Sequence, residues 1–169
     1  MKQFFLGILF TLIVVTTGKL AYLLFGFAEV RGDLPPTLLE SVVMTRAVHA
    51  SVRREAPEVA NPYPPTDENL IAGGKTYLNE CSGCHGAPGK PNKYPAVLFP
   101  PIPQLALVGT EYTEAQVFFV AKHGVRRTGM FANGMWDSDE SLWKAAAFIK
   151  RIKSLPPAVT AALEQKKSN

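Results

Sequence analysis

The stretch Cys81-Ser82-Gly83-Cys84-His85 decides how this chain is read. It holds both of the cysteines found in 169 residues. Two cysteines are too few for a disulfide scaffold or a four-cysteine zinc site. A redox C-x-x-C of the thioredoxin kind needs a βαβ setting, and no strand pattern precedes this one. A mixed zinc site needs two further ligands at suitable spacing. Only His49 and His123 remain, distant and isolated. A chance structural pair is the plainest alternative.

C-x-x-C-H is also the attachment pattern of a c-type haem. The spacing has a mechanical reason. Two thiols add to the two vinyl groups on one edge of the porphyrin, and the histidine after the second is then held beneath the iron. The reading expects one covalent haem, tethered by Cys81 and Cys84, with His85 as the proximal metal ligand. Such attachment occurs outside the cytoplasm, so this part of the chain is expected to face the periplasm.

A histidine-ligated iron needs a sixth ligand or an open face. Met130, Met135 and His123 lie downstream. Met/His ligation raises the reduction potential. Met130 sits in Thr128-Gly129-Met130 and Met135 in Gly134-Met135-Trp136. Core packing is the ordinary use of a lone methionine. Both of these, however, fall in a glycine-rich loop rather than on an apolar helix face. Met44 reads as packing. His123 precedes Gly124 near a helix C-terminus, where the dipole explains it.

Working outward, the pattern is helical throughout. A helix is expected from Thr66 to Asn79, leading into the motif. An irregular stretch with six prolines follows, from Gly86 to Gly109. Thr113-Glu114-Ala115-Gln116 has the capping-box form and opens a helix to about Lys122. Asp137-Ser138-Asp139-Glu140 opens another, to about Lys153, with Leu142, Ala145, Ala146, Ile149 and Ile152 as its apolar face and Pro156 as its stop. Upstream, Thr37-Leu38-Leu39-Glu40 begins a helix to about Glu55. Its stripe of Leu39, Val42, Val43, Ala47 and Ala50 has helical spacing. No strand alternation and no repeat is present. The expected fold is all-α, a small helical haem domain after an N-terminal transmembrane helix.

From Phe4 to Ala28 the only charged side chain is Lys19. About 20 apolar residues span a bilayer, and the run exceeds the ~7–15-residue core of a cleavable signal. An uncleaved signal-anchor is expected, with Lys19 near one end, able to snorkel to the interface. A cleaved signal ending near Thr17 is the alternative. The expected divisions are 1–28 for the anchor, 29–65 for a helical and proline-rich connector, 66–155 for the haem domain and 156–169 for a C-terminal tail, polar from Glu164 to Asn169.

Hydrophobic residues make up 47% and charged residues 19% of the chain, with a net charge of +4. The charged share is below the roughly 25% of soluble proteins, as a membrane segment would make it. All acids lie from Glu29 onward, so the chain beyond the apolar run carries only +2. That is too mild and dispersed for a nucleic-acid footprint.

Taken together, these residues resemble a mono-haem class I-type cytochrome c over about Thr66 to Leu155. In that family a first helix leads into C-x-x-C-H and a last helix crosses it. Gly73 and Tyr77 resemble the crossing point, and Trp143 and Phe148 its partners. Pro103-Gln104-Leu105 resembles the family's P-x-L, which implies that the Pro103 carbonyl accepts the N–H of His85 and that Leu105 packs on the ring. Lys122-His123-Gly124-Val125-Arg126-Arg127-Thr128-Gly129-Met130 is similar to the K-H-G-I-x-x-T-G-M-P-A-W run of small membrane-anchored bacterial cytochromes c. That resemblance implies Met130 as the distal ligand. Phe131 departs from it, standing where the family commonly has proline. Ser51-Val52-Arg53-Arg54 also looks like the segment before the haem domain in such proteins.

The implied function is electron transfer between redox protein partners, with no small-molecule substrate and no enzyme chemistry of its own. The protein would act as a shuttle or as a subunit of a larger oxidoreductase. Lys90, Lys93, Lys122, Arg126 and Arg127 are either solvated charges or a rim on the haem edge. The alternative function is a haem enzyme or gas sensor with a vacant or labile sixth site.

Overall fold

The computed structural model describes residues 1–88, 90–92 and 98–165. It divides into two units, Met1–Gly32 and Asp33–Asn169. The first is one helix, α1 (Lys2–Leu24), and the short turn after it. With 23 residues and a mean hydropathy of 2.0, α1 is long and apolar enough to cross a membrane. Nearly all of its side chains are exposed.

The second unit is helical, and its described residues form no β-strand. In order come α2 (Leu38–Glu55), α3 (Asp67–Thr76), a π-helical turn (Tyr77–Cys81) and α4 (Ser82–His85). They are followed by α5 (Leu105–Val108), α6 (Glu114–His123), α7 (Asp139–Arg151) and α8 (Pro157–Gln165). Four of these begin on a hydroxyl. Thr37, Thr66, Thr113 and Ser138 each accept the backbone N–H three residues on. Each cap contributes about 1 kcal/mol by satisfying an orphan donor. At Thr113 the box is reciprocal, Gln116 reaching back to the cap N–H at 3.1 Å.

The core forms where α3 crosses α7, flanked by α6 and α8. A Cβ on Gly73 would overlap the Lys144 carbonyl, so the glycine lets the two backbones approach. Tyr77 and Phe148 are fully buried beside the crossing, ring centroids 5.5 Å apart. Full burial of a side chain the size of Phe148 contributes about 1.5–3 kcal/mol. Trp143 has a different partner from the one its spacing suggests. It stacks on Phe118 of α6, 4.2 Å away and nearly parallel, because it leaves α7 on another side from Phe148.

Two features depart from the sequence reading. Residues 157–165, expected within a C-terminal tail, form a helix whose Val159 and Leu163 are buried, and Leu163 packs over Gly74. Pro156 stops α7, and Pro157 then serves as the first residue of the next helix, where its missing N–H costs nothing. The apolar stripe of α2 is not its docking face either. Leu39, Val42 and Val43 are exposed, whereas Val52 is buried. His49, on α2, meets the Tyr112 hydroxyl at 2.9 Å and fixes the helix to the domain.

Candidate functional site

The π-helical turn delivers the motif. One extra residue per turn at Tyr77–Cys81 re-aims the chain, so Cys81 is half-buried against the core while Cys84 is exposed. Tyr77 secures the exit from the motif, its hydroxyl donating to the Gly86 carbonyl at 2.6 Å. Gly86 ends α4 with φ +76, and a Cβ there would sit 2.8 Å from the Gln104 Oε1. Both facts require glycine at this turn.

His85 is half-buried, and its Nδ1 lies 2.9 Å from the Pro103 carbonyl oxygen. A carbonyl only accepts, so Nδ1 carries the proton and the Nε2 lone pair is left for a metal. Among the described residues Nε2 makes no hydrogen bond. Burial pushes His85 below its ordinary pKa, and the Pro103 carbonyl opposes that. The net result is a neutral imidazole, the form that ligates metals.

The Pro103 carbonyl is itself held in place. The Gln104 side chain donates to the Cys84 carbonyl at 3.1 Å and accepts the Asn92 N–H at 2.6 Å. The Asn92 amide in turn donates to the Gly83 carbonyl. Sequence reasoning passed over Gln104 and Asn92, because the middle residue of P-x-L carries no pattern. Leu105 opens α5 and packs, half-buried, against the core.

Met130 is half-buried in a loop closed by its own backbone. Its carbonyl accepts the Val125 N–H at 2.8 Å, and its N–H donates to Thr128 Oγ1 at 3.0 Å. Gly124, at φ +67, lies so close that a Cβ would be 2.6 Å from the Met130 carbonyl oxygen. Met135 is 81% exposed, and His123 is exposed with its ring 4.8 Å from Phe119. The basic residues separate. Lys122 pairs with Asp139 at 2.7 Å, whereas Lys90, Arg126 and Arg127 are exposed. Lys93 lies outside the described residues.

Asp137 is a further residue that the sequence did not single out. Among the described residues its Oδ2 is buried without a hydrogen-bond partner, and burial raises its pKa. Burial raises the Cys81 thiol to about 12, and the charge of Asp137 adds to this. Cys81 is therefore a protonated thiol at neutral pH in the folded chain.

These side chains fit a c-type haem. Two thiols stand three residues apart, an imidazole presents Nε2, and a soft thioether waits in a shaped loop. Exposed apolar side chains (Leu98, Phe99, Leu107, Val108) flank the Pro103 segment in sequence. No three His, Cys, Asp or Glu side chains gather among the described residues as a conventional metal cluster would.

Residues 68–149 match the family model described as Cytochrome C oxidase, cbb3-type, subunit III. The match gives these residues as a cytochrome c domain. No curated protein and no solved structure matches the chain. The cytochrome c domain begins within α3 and ends within α7, so it contains the helix crossing, the motif and the Met130 loop. Its family implies a covalently bound c-type haem, electron transfer and redox protein partners.

Proposed function

We propose that this chain is a membrane-anchored electron carrier with one covalent haem, its cytochrome domain facing the periplasm. One observation carries the site: His85 Nδ1 held by the Pro103 carbonyl at 2.9 Å, one residue after the second of two motif thiols. When bound, the haem supplies reversible one-electron chemistry at iron. The chain does the rest. Cys81 and Cys84 tether the ring, His85 ligates through Nε2, and the Pro103 carbonyl keeps the imidazole neutral and basic. Leu105 packs beside it. Met130 is the distal ligand, favoured over Met135 because its loop is closed by four hydrogen bonds, whereas Met135 is 81% exposed.

Helix α1 supports an anchor by length and composition. The proposed divisions are anchor 1–28, connector 29–65 and haem domain 66–155, with α8 as part of the domain's packing. The family match also suits a subunit of a larger oxidoreductase rather than a free shuttle.

The test is the far-red band that methionine gives on ferric iron. It should be present in the purified holoprotein, absent from Met130→Ala and retained in Met135→Ala. A band that survives in Met130→Ala and vanishes in Met135→Ala would reassign the ligand. No band at all, with carbon monoxide binding to the reduced protein, would favour a sensor or enzyme with an open sixth site.

A further inference from the structure

The loop that carries Met130 has fixed feet. At one end the Gly124 N–H donates to the Val120 carbonyl at 2.8 Å and closes α6. At the other, Asn133 is buried and its amide donates to the Ala121 carbonyl at 3.1 Å. Both feet therefore stand on the last turn of α6, and residues 125–132 span the gap between them. A Cβ on Gly124 would lie 2.7 Å from the Phe131 carbonyl carbon and 2.9 Å from the Ala132 nitrogen, so the returning chain passes close by.

Between the feet, one side chain closes the loop. Thr128 Oγ1 donates to the Val125 carbonyl at 2.7 Å and accepts the Met130 N–H at 3.0 Å. A hydroxyl can do both at once, having one proton and two lone pairs. The Thr128 N–H also reaches the Val125 carbonyl, at 3.2 Å, so residues 125–128 form a turn. Arg127, inside that turn, has φ +62, in the left-handed region that residues other than glycine uncommonly adopt. Such a conformation persists only where its surroundings over-determine it. Here the Thr128 bonds do so, together with the Val125 N–H, which donates to the Met130 carbonyl at 2.8 Å. Met130 is thus held at its N–H and at its carbonyl, and only its side-chain torsions are left to turn. With both peptide groups bonded, Met130 withdraws fully from its place only if the Thr128 bonds break.

We infer that the Thr128 hydroxyl is the latch that keeps the sixth iron position closed to outside ligands, holding this site to electron transfer rather than ligand binding. Thr128 is a positioning residue that acts through Met130, and the inference rests on Met130 being the distal ligand. Opening the latch exchanges ligands without changing the oxidation state: the iron–sulfur bond breaks and a bond from iron to the entering nitrogen forms.

The test is imidazole binding to the oxidised full-length holoprotein in detergent, read as loss of the far-red methionine band. Thr128→Val removes the hydroxyl and nearly keeps the shape. Two lost hydrogen bonds should raise imidazole affinity about tenfold and speed the loss of the band. A band already missing from Thr128→Val but present in Thr128→Ser supports the latch equally. Thr128→Ser keeps the hydroxyl and should stay close to the natural protein. Thr113→Val, which removes the capping hydroxyl of α6, should lower the melting temperature and leave imidazole affinity in place. An unchanged affinity in Thr128→Val overturns the inference. So does Thr128→Ser opening as far as Thr128→Val, or Thr113→Val opening equally. Each of these outcomes leaves Met130 standing as the ligand. A band that survives in Met130→Ala overturns both readings.

Discussion

Gly73 of α3 and the carbonyl of Lys144 in α7 touch so closely that no side-chain carbon fits between them. Backbone lies on both sides of the contact, so neither can step aside as a flexible side chain would. The two helices must separate if anything larger stands at 73, and Tyr77 and Phe148 separate with them. Gly73→Ala is therefore expected to lose about 1–3 kcal/mol or more by overpacking. Gly83 has open space around its Cβ position. Thermal unfolding followed by circular dichroism should show a large loss for Gly73→Ala and little for Gly83→Ala. Equal losses would mean that the close approach is not what limits position 73.

Gln104 ties the Pro103 segment to the motif through the Cys84 carbonyl and the Asn92 N–H. Removing its amide leaves the Pro103 carbonyl less firmly against His85, and a less basic histidine favours ferrous iron. Gln104→Ala should shift the midpoint potential upward and lose about 1 kcal/mol of stability. Gln116→Ala, which breaks a capping box elsewhere, should lose similar stability without moving the potential. Redox titration of both variants separates the two effects. An unmoved potential in Gln104→Ala would leave Gln104 a purely structural residue.

The Arg151–Glu114 pair, at 2.5 Å, is sheltered, with Glu114 19% exposed, and it also holds Asn61. Glu114→Ala removes the charged acceptor shared by Arg151 and Asn61 and leaves them only the Ala147 and Trp143 carbonyls, at a cost of about 1–3 kcal/mol. The Lys144–Glu140 pair is similarly short, at 2.6 Å, but Glu140 is 53% exposed. Such surface pairs contribute only about 0–1 kcal/mol. Denaturant titrations should therefore rank Glu114→Ala well below Glu140→Ala in stability. The reverse order would show that the pair's geometry does not carry the connector.

Asp137 carries a pH dependence of opposite sign to the usual carboxylate. Burial raises its folded pKa above the unfolded value, so the folded state holds the proton more tightly. Stability is then lost as pH rises from the ordinary carboxylate range through the folded pKa. Asp137→Asn removes the charge and should melt higher than the natural protein at neutral pH. The advantage should shrink below about pH 4, where both states bind the proton. Melting curves across that range check it, and a gap independent of pH would rule out the electrostatic cause.

Local chemistry was legible where a short stretch is sufficient by itself. Cys81, Cys84 and His85 are read from five consecutive residues, and the helix openings at Thr37, Thr113 and Ser138 from four at a time. The starts of α2, α3, α6 and α7 came out within a residue or two, because a capping hydroxyl acts only on the N–H groups next to it, whereas α5 and α8 begin without a capping signature. The approach of Pro103 to His85 was expected from a resemblance, and the structure gives it a length of 2.9 Å. Gln104 and Asn92, which hold that segment, had no local signature.

What the sequence by itself determined is the set of covalent and helical elements: two thiols and an imidazole at fixed spacing, capped helices, and an apolar segment long enough to span a bilayer. Periodicity reports that a face is apolar, but not what it meets. Tertiary structure decided that Val52 rather than Leu39 turns α2 toward the domain, and that Trp143 stacks on Phe118 while Phe148 meets Tyr77. It also decided that Val159 and Leu163 belong to the core. The physical reason is the same in each case. A side chain's partner depends on which elements converge around it, and convergence is set here by the Gly73–Lys144 crossing, far apart in sequence and in contact only once the chain has folded.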